Sequence, residues 1–412
     1  MAQLTGVNVN KLQGGLGRGN GTTDSYVGLV GYISAETLAL LPEIKENKAL
    51  QLLQIEDLEA QGFNESFDAN NKLLVHYHIS EIFRLAPEAV VYFIPTTSES
   101  IEKAIEVIIP AIRENSEIKG LGFCGFSETL ETLNVDAIQK TLVDEFTKEN
   151  RDLDFVLLEG KPKAGETFKV NDLPNLREKA APNITVIIGQ DPAVASLEEA
   201  YKNYSAIGSA LGMLAIRKIS ENMGSVNIEN KPANSRATTS YPLTDSASSR
   251  WLSSALSDGT PLSELSKTHL KTIQQKGYVF IAGYEGFAGL FFSASTTCIE
   301  KASDFSTIEN NRVWNAAKRA IRQSLLPYVK GKVKKDPSTG YIKSTTIATW
   351  HGAASKALEQ MVINNDISGY QVRIDNNQVV NEDNPVKIRA VVVTDDIAHE
   401  FDVDLGLTNN IE

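Results

Sequence analysis

Apolar residues fall along this chain in two kinds of run. Continuous apolar stretches recur through the first half: "YVGLVGYI" at 26–33, "AVVYFI" at 89–94, "GLGFCGF" at 120–126, "DFVLLEG" at 154–160 and "ITVIIGQ" at 184–190. Between them, apolar residues return every three or four positions. Over 72–85, Val75, Ile79 and Ile82 share a helical face, with Leu74 and Leu85 beside it and Pro87 ending the run. Over 99–114, Ile101, Ala104, Ile105, Ile108 and Ile112 do the same, with Ser98 placed to cap the helix. A further helix is predicted over 135–148. A strand apolar at every position is buried on both faces. Such strands alternating with amphipathic helices predict an α/β fold, a mostly parallel sheet flanked by helices.

The second half is less regular. Residues 205–221 read as a helix with several small residues, and 224–260, rich in Ser, Thr, Asn and Pro, as a long surface excursion. Order resumes with a helix over 262–276 and strands "YVFIAGYEG" and "AGLFFSAS". Ser306 and Glu309 have capping-box spacing ahead of a helix reaching about Tyr328, and a second helix spans about 346–364. The ending "ISGYQVRID", "VKIRAVVVT", "HEFDVDLGL" is all strand, which makes the chain α+β in part. Its last two segments alternate cleanly, with a short acidic turn at Asp395 and Asp396. At the other end, "LTGVNVN" at 4–10 is a lone weak strand followed by the glycine-rich "QGGLGRGNG" at 13–21.

Composition narrows the function classes. The chain has 412 residues, 42% hydrophobic and 22% charged, with a net charge of -12. That length holds two or three domains' worth of core. The acidic balance argues against a general nucleic-acid binder. No run of about 18 apolar residues is present, so no membrane span is expected. The start lacks the basic and apolar regions of a secretory signal. With Cys124 and Cys298 as the sole cysteines, a reducing cytoplasmic place of synthesis is expected.

Few residues offer chemistry. The glycine loop lacks the Gly-Lys-Ser/Thr ending that meets a nucleotide's outer phosphates, and it precedes a strand where a dinucleotide loop opens a helix. Flexibility is the better use of glycine there. His76 and His78 stand two apart on a helix and face different ways. HExxH, CxxC, EF-hand and G-x-S-x-G patterns are absent. Cys124 reads as a small core residue, Asp152 and Asp154 as strand-edge charges. "IIGQDPA" reads as a strand-to-helix turn, with ligand binding there left open. No catalytic, cofactor-binding or metal-binding residue is assigned, and no cofactor is expected. One charge feature stands out: Arg312 to Lys335 holds eight Lys or Arg and no acid. Opposite the charges lie Val313, Ala317, Ala320, Ile321 and Leu325. Either this is a solvated helix face, or it meets an acidic partner, another copy of the chain included.

The order of elements from "GYVFIAGYEGFAGLFFSAS" through "ENNRVWNAAKRAIRQSLLPYVKGKV", the turn "DPSTGYI", "WHGAASKALEQMV" and the three closing strands resembles the C-terminal domain of contractile tail sheath proteins of phage tails and related injection machines. "LTGVNVNKL", a hinge, then "SYVGLVGYI" is similar to that family's N-terminal arm. The resemblance covers roughly residues 1–35 and 275–412, and the middle agrees in its α/β character alone. It implies a structural subunit without enzymatic activity, polymerising as a helical homo-oligomer of hexameric rings around an inner tube protein. Baseplate and terminator proteins are the other implied partners, with no nucleic acid and no direct membrane insertion. The chain is then made and assembled in the cytoplasm and ends in a virion tail or injection particle, contracting by subunit rotation. The resemblance further implies an arm and hinge over 1–23, an α/β core over 24–275, and a C-terminal sheath-type domain over 276–412 with extended N- and C-terminal β-arms. Strand arms joining neighbours would use Leu4, Val7, Val9 and Leu12, and, within 385–408, Ile388, Val391, Val393, Phe401, Val403 and Leu405. The hinge would be Gly14, Gly15, Gly17, Gly19 and Gly21. Lys318, Arg319 and Arg322 are candidate tube contacts, with the nearly charge-balanced helix 346–364 as the other candidate. Two other classes remain: an α/β enzyme taking a nucleotide or small acid near Gly189 to Asp191, and another self-assembling capsid or surface-layer component.

Overall fold

A computed structural model describes residues 25–381 and 384–407. The proposed arm residues Leu4, Val7, Val9 and Leu12 and the hinge residues Gly14, Gly15, Gly17, Gly19 and Gly21 lie outside the described residues. Each long apolar run forms a strand: β1 (Tyr26–Tyr32), β3 (Val90–Thr96), β4 (Gly120–Cys124), β5 (Phe155–Glu159) and β7 (Ile184–Ile187). The short β2 (Leu50–Leu52) joins them, and β6 (Ala180–Ala181) stands apart. The sheet runs β2-β3-β1-β4-β5-β7, with β2 antiparallel to β3 and every other pairing parallel. Counting the parallel strands alone, the first lies between the second and third, the doubly wound order of flavodoxin-like sheets.

Alternation along β1 sends Val27 and Leu29 into one buried cluster and Val30 into another. The first face is covered by the helices Val75–Leu85 and Ile207–Ile216, the second by Ile101–Glu114 and the helical run 135–148, which loosens to π geometry over Gln139–Val143. On the first face the two helices touch backbone to backbone. A methyl added at Gly208 would lie 2.3 Å from the carbonyl oxygen of His78.

The division into compact units falls between Arg312 and Val313. The reason is strand pairing. Val279 bridges to Ile187 at the sheet's edge, and β12 (Cys298–Ile299) pairs with β6. Strands β8 (Gly189–Gln190) and β9 (Ala255–Leu256) pair with each other, and β10 (Ile281–Gly283) and β11 (Leu290–Phe292) form a hairpin. All belong to the first unit.

Several sequence expectations shift here. Ser100, not Ser98, caps the helix Ile101–Glu114 by accepting the N–H of Lys103. The 224–260 segment is not a surface excursion: Ile228, Tyr241, Leu243, Trp251 and Leu256 are buried in the core. The Ser306/Glu309 capping box gives way to a different bonding. Glu309 is buried and accepts from Asn222 Nδ2 and Ser295 Oγ. Arg312 is likewise removed from the basic surface. Its guanidinium is buried, donates to the carbonyl of Leu214 and lies over the Phe155 ring.

The second unit carries most of the helix Ile308–Leu325, the helix Ser344–Ile363, and the antiparallel pair β13 (Gly369–Ile374) and β14 (Ile388–Val393). β14 pairs with β13, and the expected closing strand "HEFDVDLGL" is not seen: 394–407 forms no strand.

Candidate assembly surface

Doubly wound sheets bind ligands where the strand order reverses. A cleft of about 490 Å³ lies there, lined by Tyr32 at the end of β1, Cys124 at the end of β4 and Phe126 beyond it, Glu159 at the end of β5 and Lys161 beyond it, and Tyr204. Its ionisable groups serve the fold. Glu159 accepts the N–H groups of Gly125 and Ser205 and pairs with Lys161 at 2.9 Å. His78 is buried and takes the Gly208 N–H on Nδ1, and burial lowers its pKa to about 4. Burial pushes the Cys124 thiol well above its ordinary value, away from the thiolate a nucleophile needs. His76 turns to Glu59 instead. The Gly189 to Asp191 turn is filled as well: β8 pairs with β9, and Asp191 accepts from Ala193 and Trp251. Asp152 and Asp154 are buried, not edge charges in solvent. Among the described residues, no group of three His, Cys, Asp or Glu could hold a metal ion, and no helix is long and apolar enough to cross a membrane.

One buried carboxyl was missed by sequence reading. Asp68 accepts the Tyr77 N–H at 3.1 Å and so caps the helix Val75–Leu85 from nine residues away. Burial raises its pKa from 3.8 to about 7, against the pull of the helix N–H groups. The folded chain therefore holds a proton that the unfolded chain releases over that window, so this group's contribution to stability falls as pH rises from 3.8 to about 7. Asp68→Asn keeps an acceptor and cannot ionise. Unfolding midpoints for the variant are expected to fall less between about pH 5 and about pH 8 than for the parent. Parallel pH profiles would refute this role for Asp68.

The second unit presents a different kind of surface. Trp350, Ala354, Leu358 and Met361 make a buried stripe on the helix Ser344–Ile363. That helix is tied to β13 by His351 Nε2 with the Val372 carbonyl at 3.2 Å and by Tyr370 O–H donating to Glu359 at 2.8 Å. The turn "DPSTGYI" forms as expected, with Asp336 accepting the N–H groups of Ser338 and Thr339. Ile388, Val391 and Val393 lie on β14, where Ile388 is half-buried and the two valines are exposed. Beyond it, Phe401, Val403 and Leu405 are 83, 75 and 92% exposed. Among the described residues β13 and β14 form a sheet of two strands, so each keeps one unpaired edge. Unpaired edges beside exposed apolar side chains are features that soluble monomers avoid. Of the basic candidates, Lys318 lies 5.4 Å from the Trp314 ring centre, Lys318 and Arg319 are half-buried, and Arg322 is exposed.

The fold is similar to that of the helical sheath of the anti-feeding prophage in its contracted state, with a TM-score of 0.60 at 14% identity, and to a chain of the anti-feeding prophage baseplate, with a TM-score of 0.61 at 14% identity. Each match covers 100% of both chains. The chain belongs to the DUF2586 family, matching its N-terminal domain over residues 4–296 and its C-terminal domain over 304–412. No curated protein matches it.

Proposed function

We propose that this chain is a structural sheath subunit of a phage-tail-like contractile particle, polymerising with copies of itself around an inner tube and bound at its ends by baseplate and terminator proteins. The observation that supports it most is the exposed, alternating segment 399–407 near a two-stranded sheet with unpaired edges, on a fold similar to a helical sheath along its whole length. In this reading residues 385–408 and the arm around Leu4, Val7, Val9 and Leu12 add strands to neighbouring copies, which is β-augmentation. The glycines at 14, 15, 17, 19 and 21 supply slack: about nine flexible residues span roughly 15 to 18 Å as a coil and about 30 Å extended. Neighbours stay linked while each body rotates. Negative-stain microscopy of the purified chain tests the reading. Helical tubes are expected. Discrete particles that bind a nucleotide saturably, or flat sheets and closed shells, would overturn it.

Lys318, Arg319 and Arg322 are the proposed tube contacts. Exposed ion pairs contribute only about 0 to 1 kcal/mol each, but a sheath multiplies them over many copies. Lys318→Glu with Arg322→Glu is expected to leave the subunit folded and to prevent extended sheath from forming on tubes. Raising salt should weaken sheath–tube association of the parent, because screening shortens the reach of such contacts. A double variant that co-sediments with tubes like the parent, together with salt-insensitive parent binding, would reduce these charges to a solvated helix face.

A further inference from the structure

The charged groups on the floor of the cleft at the ends of β1, β4 and β5 serve the fold, but polar groups on its walls are left over. His78 is 1% exposed and borders the cleft. Its Nδ1 accepts the Gly208 N–H at 3.1 Å. Burial lowers its pKa to about 4, so the ring is neutral at neutral pH and its one proton sits on Nε2. That N–H meets no acceptor among the described residues. The ring is held in place by the Nδ1 bond and by the rings of Tyr77 and Tyr204, at centroid distances of 5.5 and 6.1 Å. A buried donor left unpaired costs free energy that an incoming acceptor recovers.

The rest of the wall indicates what that acceptor belongs to. Glu159 is neutralised by Lys161 at 2.9 Å and by the N–H groups of Gly125 and Ser205. Among the described residues, Lys72, exposed at the cleft's edge, forms no ion pair, and the Asn203 amide forms no side-chain hydrogen bond. The charge left over among the lining side chains is therefore positive. Between these polar points the wall is apolar, with Leu74 and with Phe126 tilted against the Tyr32 ring at 6.2 Å. A volume of about 490 Å³ lies in the range of pockets that take small molecules.

We propose that this cleft binds a small organic acid, whose carboxylate accepts the His78 Nε2–H and is drawn by Lys72, and whose apolar or aromatic body lies against Leu74 and Phe126. A phosphate is disfavoured, because the Gly125 N–H that would help to cradle it is already given to Glu159. The site binds without turning its ligand over: the Cys124 thiol beside it stays protonated and Glu159 is fully paired. It is independent of how copies of the chain join.

Saturation-transfer NMR on the full-length chain tests this, with benzoate and phenylacetate as probes and benzyl alcohol as their neutral counterpart. The two acids are expected to bind saturably and the alcohol about tenfold more weakly or worse, the scale of losing a hydrogen bond to a charged group. Three variants carry the assignment. His78→Asn keeps an acceptor for Gly208 and removes the Nε2–H, and it should weaken both acids by about tenfold. Lys72→Asn removes the charge at a position whose φ of 57° asparagine tolerates, and it should narrow the gap between acid and alcohol. Asn203→Trp fills the cleft and should abolish binding. Thermal unfolding checks that each variant folds. If His78→Asn does not fold, the other two decide, both at positions with exposed surface. The proposal fails if neither acid binds saturably, if acid and alcohol bind alike, if the acids bind His78→Asn as they bind the parent, or if binding survives in Asn203→Trp. Displacement of benzoate by an equal concentration of inorganic phosphate would overturn the choice of a carboxylate.

Discussion

Trp251→Ala is expected to lower the stability of the larger unit by about 3 to 5 kcal/mol, the range for emptying a fully buried tryptophan site. Trp251 has no exposed surface and lies in the main apolar cluster. Its indole N–H donates to Glu81 at 3.2 Å and to Ser209 at 3.3 Å, and its backbone N–H donates to Asp191 at 2.8 Å. Burial alone would raise the Glu81 pKa. The hydrogen bonds and charge of Arg84, with Ser209 and Arg250, instead hold it below the ordinary carboxylate range. The indole is thus one donor to a buried carboxylate that joins the helices Val75–Leu85 and Ile207–Ile216 to the 224–260 segment. Trp251→Phe keeps most of the volume and loses this donor. It should cost less, about 1.5 to 3 kcal/mol, the value of a hydrogen bond to a charged group. Denaturant unfolding measures both, and limited proteolysis should show earlier cleavage within 224–260 for the alanine variant. A loss under about 1 kcal/mol for Trp251→Ala, the scale of a surface change, would mean the segment is not part of the core.

Deleting residues 1–12 is expected to leave a folded monomer that forms no tubes. This follows from the proposed function and has an all-or-none readout, because a helical mesh needs every link between neighbours. The body begins its sheet at Tyr26, well after the deleted strand, so unfolding of the truncated chain should follow that of the parent. Replacing Gly14, Gly15, Gly17, Gly19 and Gly21 by proline or bulky residues probes the same connection differently. The strand stays available for pairing and the slack is removed. Such a chain should assemble and fail to contract. Normal tubes from the truncated chain would end the arm assignment. Normal contraction of the stiffened chain would end the hinge assignment.

The parts of the fold legible in the sequence are those where one segment carries its own signal. "YVGLVGYI" and "AVVYFI" are apolar at nearly every position because parallel strands between two helical layers bury both faces. Val75, Ile79 and Ile82 mark a helix face because that helix buries one side. What stayed hidden depends on distant partners. Trp251 sits in a stretch of Ser, Thr and Asn, and nothing local says that its ring fills a gap beside Ser209. Arg312 reads as one more surface cation. Its burial rests on the carbonyl of Leu214 and the ring of Phe155, far away in the chain. Asp68 caps a helix it does not adjoin. The alternation of 386–394 and 399–407 is real, but alternation identifies a strand and not its partner, so β14's pairing with β13 was not readable.

The place of β1 at the centre of its sheet has a consequence for how the protein is made. Both of its neighbours, β3 and β4, come later in the chain, the nearer starting roughly sixty residues on. At about 5 to 20 residues per second, a ribosome leaves this apolar strand without either partner for several seconds. The strand next to the proposed arm thus emerges first and is closed in late. During that interval nascent chains on one polysome hold equivalent sticky strands side by side, in a protein whose finished form is proposed to trade strands between copies. Translation speed between codons 33 and 124 then becomes a lever on yield, and a holding chaperone on the nascent chain would separate folding of the body from premature exchange.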